Sequence, residues 1–232
     1  MISACQGEVA FQKEDIQQLI VQYADFVTQS FHPVKHITTG EGGAIMTNDK
    51  VFYDKINVLR SHGMLKDSFM RKEHGPWYYE MHQLGYNYRI TDIQCALGIN
   101  QLKRINDFLS KRKKIAKIYD EELSEFNLFK TPTVISNVGH AYHLYPLRIN
   151  FNYLKKSKKD LFEYLLDNDI NLQVHYIPVH TQPYYKKKYN YNVGDYPISE
   201  KFYLQEISLP IYPSLSESDQ SYVIKAIKKF FY

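Results

Sequence analysis

The chain has 232 residues, 44% of them hydrophobic, which is enough for one large or two small globular domains with a buried core. Its 29 basic and 25 acidic residues are dispersed for a net charge of +4, so neither a nucleic-acid tail nor a polybasic membrane anchor is supported, although a mildly basic surface suits a diphosphate ligand. Cys5 and Cys95 lack CxxC spacing, which argues against a disulfide scaffold or zinc site, and no apolar run nears the ~18 residues of a bilayer span, so a reducing, cytoplasmic setting is expected.

Residues 11–23 have a partial helical period through Phe11, Ile16, Leu19, Ile20 and Tyr23. Residues 24–29 read as a short strand that delivers Ser30. Lys35 follows within a Pro33 turn and runs into Gly40-Glu41-Gly42-Gly43. A lysine is protonated at neutral pH and a poor nucleophile until its amine is desolvated or consumed as an imine. An isolated lysine reads as a solvated surface cation; this one has a chemically interpretable context.

Residues 44–47 suit a strand, and Asn48-Asp49 can cap a helix over 50–61 with Phe52, Ile56 and Leu59 on one face. His62-Gly63 ends it, with His62 in the helix terminus rather than in chemistry. Residues 63–84 read as a long loop rich in aromatic and charged side chains, including Trp77, Tyr78 and Tyr79, of a length that favours a functional or interface role. Thr91 and Gln94 make a capping-box pattern ahead of Ile93, Ala96 and Leu97. Helical patterning then continues to about 125, longer than a typical globular helix, with a break expected near Asn106-Asp107 where one domain passes into the next. The run Lys111-Arg112-Lys113-Lys114 reads as a solvated helix face.

A Pro-containing connection over 127–139 precedes an α/β region: a strand over 140–151, a helix over 158–168 opened by Ser157 with Asp160, and a C-terminal helix from Ser216 presenting Val223, Ile224, Ile227 and Phe230. His140 and His143 read as structural. His175 and His180 lie five apart, but no third ligand stands at useful spacing for a metal. Neither a Ser-His-Asp triad nor a Gly-Lys-Ser/Thr phosphate loop is present.

Three segments in order carry a resemblance: Ser30-Phe31-His32-Pro33-Val34-Lys35 with its glycines, Gly85-Tyr86-Asn87-Tyr88-Arg89, and 175–185 from His175-Tyr176-Ile177-Pro178 to Tyr185. From about residue 23 onward the chain resembles the DegT-type nucleotide-sugar aminotransferases, which use pyridoxal 5′-phosphate, and within them the UDP-4-keto-sugar transaminases of pseudaminic acid biosynthesis. The resemblance implies an α/β fold, the C-terminal part of a fold-type I PLP-dependent transferase. Residues 1–106 would be a partial large, cofactor-binding domain with 1–22 unassigned, and 107–232 a small α/β domain.

By the same resemblance Lys35 is the Schiff-base lysine, Ser30 contacts the cofactor phosphate, and Asn87 reaches across a homodimer interface to the other subunit's cofactor phosphate. Arg89 would meet a phosphate or carboxylate, a structural salt bridge being the alternative. His175, His180 and Tyr185 would contact the substrate, the histidines at sugar hydroxyls or phosphate. The implied reaction moves an amino group from an amino acid, glutamate in such enzymes, to a 4-keto-6-deoxy nucleotide sugar, with Lys35 as proton shuttle. Family members that dehydrate carry histidine in place of the lysine, so Lys35 argues against that activity. The N-terminal segment that supplies the rest of the phosphate loop, a stacking aromatic and the acid at the pyridine nitrogen is expected to be missing, which makes a truncated remnant or a partner subunit of a split transaminase the alternative function.

Overall fold

The computed structural model describes residues 3–5, 10–13, 16–19, 24–136 and 138–232, and the chain divides into two units, residues 1–105 with 137–140 and residues 106–136 with 141–232. In the first unit β1 (Ser3–Cys5) pairs parallel with β4 (Phe26–Ser30), and β4 pairs antiparallel with β5 (Gly43–Met46). Between β1 and β4 in sequence, β2 (Ala10–Lys13) and β3 (Ile16–Leu19) form an antiparallel pair, and β2 also pairs with Val138–Gly139. The helical reading of 11–23 is therefore wrong for 11–13 and 16–19; its remaining positions, 14–15 and 20–23, lie outside the described residues. So short an apolar pattern is ambiguous in period, and pairing to a distant strand decides it.

Downstream of β5, Asp49 caps α1 (Lys50–Leu59) by accepting from Val51 N at 2.7 Å and Phe52 N at 3.2 Å. The helix ends where Gly63 adopts φ +70°, and a Cβ there would fall 1.6 Å from the Gln83 carbonyl oxygen, so only glycine lets the returning chain approach this closely. The stretch 63–84 is not the open loop its composition suggests. It contains β6 (Met64–Leu65) paired with β7 (Glu80–Met81), and between them α2 (Ser68–His74), capped by Asp67. The Tyr78 hydroxyl donates to Glu80 at 2.7 Å and His82 Nε2 lies 2.8 Å from the same carboxylate, which with the tyrosine bond foremost holds Glu80 below the usual carboxylate range. Trp77 stands 76% exposed beside this ribbon.

Helix α3 (Asp92–Lys103) starts at the expected capping box, with Thr91 Oγ1 accepting from Gln94 N at 3.3 Å and Gln94 Oε1 accepting from Thr91 N at 3.1 Å. Its continuation α4 (Ile105–Leu123) is separated from it at Arg104 rather than at Asn106-Asp107. Among the described residues of the first unit, Val27 and Thr39 are the buried side chains.

The second unit holds the large core. β10 (Tyr145–Ile149) lies between β8 (Phe129–Lys130) and β11 (Glu206–Leu209) in an antiparallel sheet; β9 is the Val138–Gly139 segment of the first unit. Register pairs Tyr145 with Leu209 and Leu147 with Ile207 on one face, and Pro146 with Ser208 and Arg148 with Glu206 on the other. The first face joins Tyr119 and Leu123 of α4, Leu161 and Leu165 of α5 (Lys158–Leu166), and Ile227 of the C-terminal helix in one hydrophobic cluster. Two further helices, α6 (Pro183–Tyr189) and α7 (Pro197–Gln205), precede β11, and α8 (Glu217–Phe231) follows it, buried through Val223, Ile224, Ile227 and Phe230 as its period requires.

β10 is shorter than the 140–151 strand expected, and Arg112 explains why. This residue, read from sequence as part of a solvated face, is 3% exposed, and its Nη1 donates to the carbonyls of Tyr142 at 3.1 Å, His143 at 3.3 Å and Ile211 at 2.9 Å. Carbonyls engaged by a guanidinium are satisfied outside the sheet ladder, and Tyr142, at φ +47°, leaves the extended conformation altogether.

Candidate active site

Strand β4 ends at Ser30, where the chain leaves the sheet and turns. His32 N donates to Ser30 Oγ at 3.3 Å, and Lys35 N donates to the His32 carbonyl at 3.0 Å, closing a turn around Pro33. Phe31 anchors the loop's other side: its N–H donates to the Gly42 carbonyl at 2.9 Å, and its own carbonyl accepts from Thr39 N at 3.0 Å and Thr38 Oγ1 at 2.9 Å. The glycines permit that closure. A Cβ at Gly43 would sit 2.6 Å from the Gln29 carbonyl oxygen, and one at Gly42 2.6 Å from Thr39 Oγ1. Lys35 is half-buried on this locked loop.

The loop is tied to the second motif. Gln94 Nε2 donates to the Glu41 carbonyl at 2.8 Å, Gly42 lies against Ile90, and Gly98 approaches the Thr39 methyl so closely that an added Cβ would be 2.9 Å away. Upstream of this contact, Tyr86 N donates to the Leu59 carbonyl at 2.7 Å and Tyr88 N to the Arg60 carbonyl at 2.9 Å, so that Asn87 bridges to Ser61. Asn87 and Arg89 are both exposed. Gln94, unassigned beyond its capping role in the sequence, thus joins the two motifs; a glutamine with both a cap and a free amide end was the available signal.

The remaining expected residues lie in the second unit. His175 is half-buried, with Nδ1 2.7 Å from Ser208 Oγ and its backbone N donating to Glu206 Oε2 at 3.0 Å. His180 is buried at 6% exposure, and its Nε2 lies 2.7 Å from Glu200 Oε1. That contact, together with the Gly194 N–H bond at 2.8 Å, holds the Glu200 carboxyl below its ordinary range. The His180 ring also meets Tyr196 at 4.7 Å between centroids. Tyr185 stands on α6, stacked near Tyr189. Glu200, Glu206 and Ser208 were missed from the sequence. Glu200 is twenty positions from its histidine and gives no spacing signal, whereas Glu206 and Ser208, polar residues within the apolar run 206–211, could have been flagged as groups that need buried partners.

Ser30 and Lys35 present a hydroxyl at a strand end and a primary amine five residues on, in a loop where Gly42 and Gly43 leave no room for a side chain. That donor set fits a small aldehyde carrying a phosphate: the amine can condense with the aldehyde, and the hydroxyl can donate to a phosphate oxygen.

A sequence profile of the DegT/DnrJ/EryC1/StrS aminotransferase family matches residues 5–228, starting well before the point at which the motifs become readable. The chain is 40% identical over 202 residues to the UDP-4-amino-4,6-dideoxy-N-acetyl-beta-L-altrosamine transaminase of Campylobacter jejuni strain 81-176, covering 86% of this chain and 50% of that protein. It superposes on Helicobacter pylori PseC, an aminotransferase of pseudoaminic acid biosynthesis, with a TM-score of 0.81 and 33% identity over 90% of this chain and 54% of that one. The sugar aminotransferase Spr1654 of Streptococcus pneumoniae, described as putative and solved in its PMP form, gives a TM-score of 0.84 at 28% identity over 95% of this chain and 55% of that one. The chain spans about half the length of the curated relatives it matches. A lysine loop, a linked Gly-x-Asn-x-Arg segment and a matching profile over nearly the whole sequence lead to one assignment: the chain belongs to the DegT/DnrJ/EryC1/StrS aminotransferase family.

Proposed function

We propose that this chain carries the lysine-bearing half of a nucleotide-sugar aminotransferase site, which moves an amino group from an amino acid such as glutamate to a 4-keto-6-deoxy sugar, UDP-linked, for bacterial surface amino sugars. The observation that carries the reading is the locked loop from Ser30 to Gly43, which holds Lys35 half-buried and is pinned through Glu41 to Gln94. When bound, pyridoxal 5′-phosphate supplies an electrophilic aldehyde and an electron-withdrawing ring. Ser30 would hold its phosphate and Lys35 its aldehyde. Lys35 Nζ would be the base that takes the α-proton of the amino acid and, in the reverse half, the group that delivers a proton to C4 of the sugar. Amino acid and keto-sugar leave as keto acid and amino-sugar, with no net change in protons. Asn87, exposed beside Ser61, is available to a second protomer's phosphate, and Arg89 to a phosphate or carboxylate. The same reading gives Tyr185, His175 and His180 to the substrate, in a cytoplasmic homodimer.

A second reading is favoured by one observation. Leu84 and Ile93 of the first unit are each 84% exposed, apolar side chains that a covering polypeptide would withdraw from water, so the chain would then act as the partner subunit of a split enzyme.

Adding pyridoxal phosphate to the purified chain tests the first reading. A visible absorption band is expected that borohydride abolishes and that Lys35→Ala does not form. A spectrum without the band, or the same band in Lys35→Ala, would overturn the assignment of Lys35.

A further inference from the structure

Lysines crowd one cavity of the second unit for which the proposed reaction has no use. Lys155, Lys156 and Lys158 line a hollow of about 350 Å³ beside the start of α5, with Phe151, Leu154 and Leu204 as its apolar wall. The one acid in its lining, Asp160, is engaged in the helix cap, where Oδ2 accepts from Ser157 N at 2.7 Å. Among the described residues, none of the three lysines has a carboxylate within ion-pair distance. The hollow is therefore positively charged and suits an anion.

The three amines are not equivalent. Lys155 and Lys156 are exposed, and Lys156 Nζ donates to the Phe230 carbonyl while standing 4.6 Å from the centroid of the Phe230 ring. Lys158 is half-buried, with Nζ donating to the Tyr203 carbonyl at 2.7 Å and standing 4.8 Å from the Tyr203 ring centroid. Burial lowers its pKa from the ordinary lysine value, and Glu206 opposes that only in part. An uncharged acid at 206 would leave the direction unchanged. More of this amine is thus neutral at a given pH, and a neutral amine has a lone pair to give.

We propose that Lys158 is an acylation site, where Lys155 and Lys156 draw a small anionic acyl donor, an acyl phosphate, into the hollow beside the half-buried amine. Nζ bonds to the acyl carbon, the bond from that carbon to the phosphate oxygen breaks, phosphate leaves with the electron pair, and the surplus proton passes to water. The product fits the place, because an acylated nitrogen keeps one N–H and the Tyr203 carbonyl needs one. Lys159 is a built-in comparison: it is exposed, lies 3.5 Å from Glu163 and is not part of the lining.

Acetyl phosphate is the probe, added to the full chain at neutral pH while acetylation at each lysine is followed by peptide mass mapping. Lys158 is expected to react well ahead of Lys159. Combining Lys155→Gln with Lys156→Gln should slow it roughly fivefold, the upper scale of an exposed ion pair, and inorganic phosphate should slow it by competition. Acetic anhydride, which is uncharged, should still prefer Lys158 and respond to neither change. A Lys158 that reacts no faster than Lys159 would overturn the proposal, as would a rate with acetyl phosphate that the double variant and inorganic phosphate leave unaltered. Equal slowing with the anhydride would mean that the substitutions changed the amine itself, and would remove Lys155 and Lys156 from the site. If the double variant fails to fold, Lys155→Gln and phosphate competition decide. Lys35 takes no part, so Lys35→Ala should behave as the native chain does, and a failure here leaves the reading of Lys35 standing.

Discussion

His180 and His175 differ in what surrounds them, and the difference has a measurable consequence. His180 is enclosed with its Nε2 on Glu200, whereas His175 is half-buried and held through Nδ1. Because Glu200 has its folded pKa depressed, chiefly by His180, it contributes stability that is present above the ordinary glutamate value and is lost as pH falls through the lowered one. Glu200→Gln should therefore melt at a lower temperature than the native chain at neutral pH, and the gap should close as the pH falls through the lowered Glu200 value. Thermal unfolding of the two proteins from neutral to acid pH checks the point, and a gap independent of pH would remove the Glu200 charge from the explanation. At this scale Ser30, Lys35 and Asn87 could be singled out because short-range motifs surround them. Glu200, Glu206 and Arg112 were not, since each is defined by partners twenty or more positions away along the chain, as with Arg112 and the Ile211 carbonyl.

Helix starts were the most readable elements, because a cap is a local device that a few residues encode. Asp49, Thr91, Ser157 and Ser216 each accept from backbone N–H groups of the first helical turn. Ser157 and Asp160 complete a reciprocal box, with Asp160 N donating to Ser157 Oγ at 3.2 Å and Ser157 N to Asp160 Oδ2 at 2.7 Å. Ser157→Ala should cost about 1 kcal/mol in urea unfolding of the second unit. An unchanged midpoint would show that Asp160 alone suffices as the cap. The β2–β3 pair was misread for the opposite reason: β2 is also held by Val138–Gly139, more than a hundred residues away, and no local pattern announces that partner. The stretch 63–84 was misread because its two paired strands are only two residues long and its helix seven.

The whole chain is uneven. Its hydrophobic cluster belongs to the second unit, where Tyr145, Leu147, Ile207 and Ile227 are fully buried, while among the described residues of the first unit Val27 and Thr39 are the buried side chains. Opening free energy follows buried apolar contact, so backbone amides of β10, β11 and α8 should exchange with deuterium far more slowly than those of β5 and α1. Uniform protection across the chain would contradict this, and would mean that the surface around Leu84 and Ile93 is covered in solution. That the helical run is interrupted was readable from its length, since 35 residues of one period exceed what a single globular helix normally holds. The return of 137–140 to the first unit was not, because it depends on the same unannounced pairing with β2.

Trp77 is the chain's single tryptophan and stands on the first unit in open contact with water. Its indole is thus a built-in fluorophore that starts from the long-wavelength emission of a hydrated ring. A polypeptide that settled over that surface would strip its hydration and pull the emission toward the blue, so docking of a partner half can be followed in solution without any attached dye.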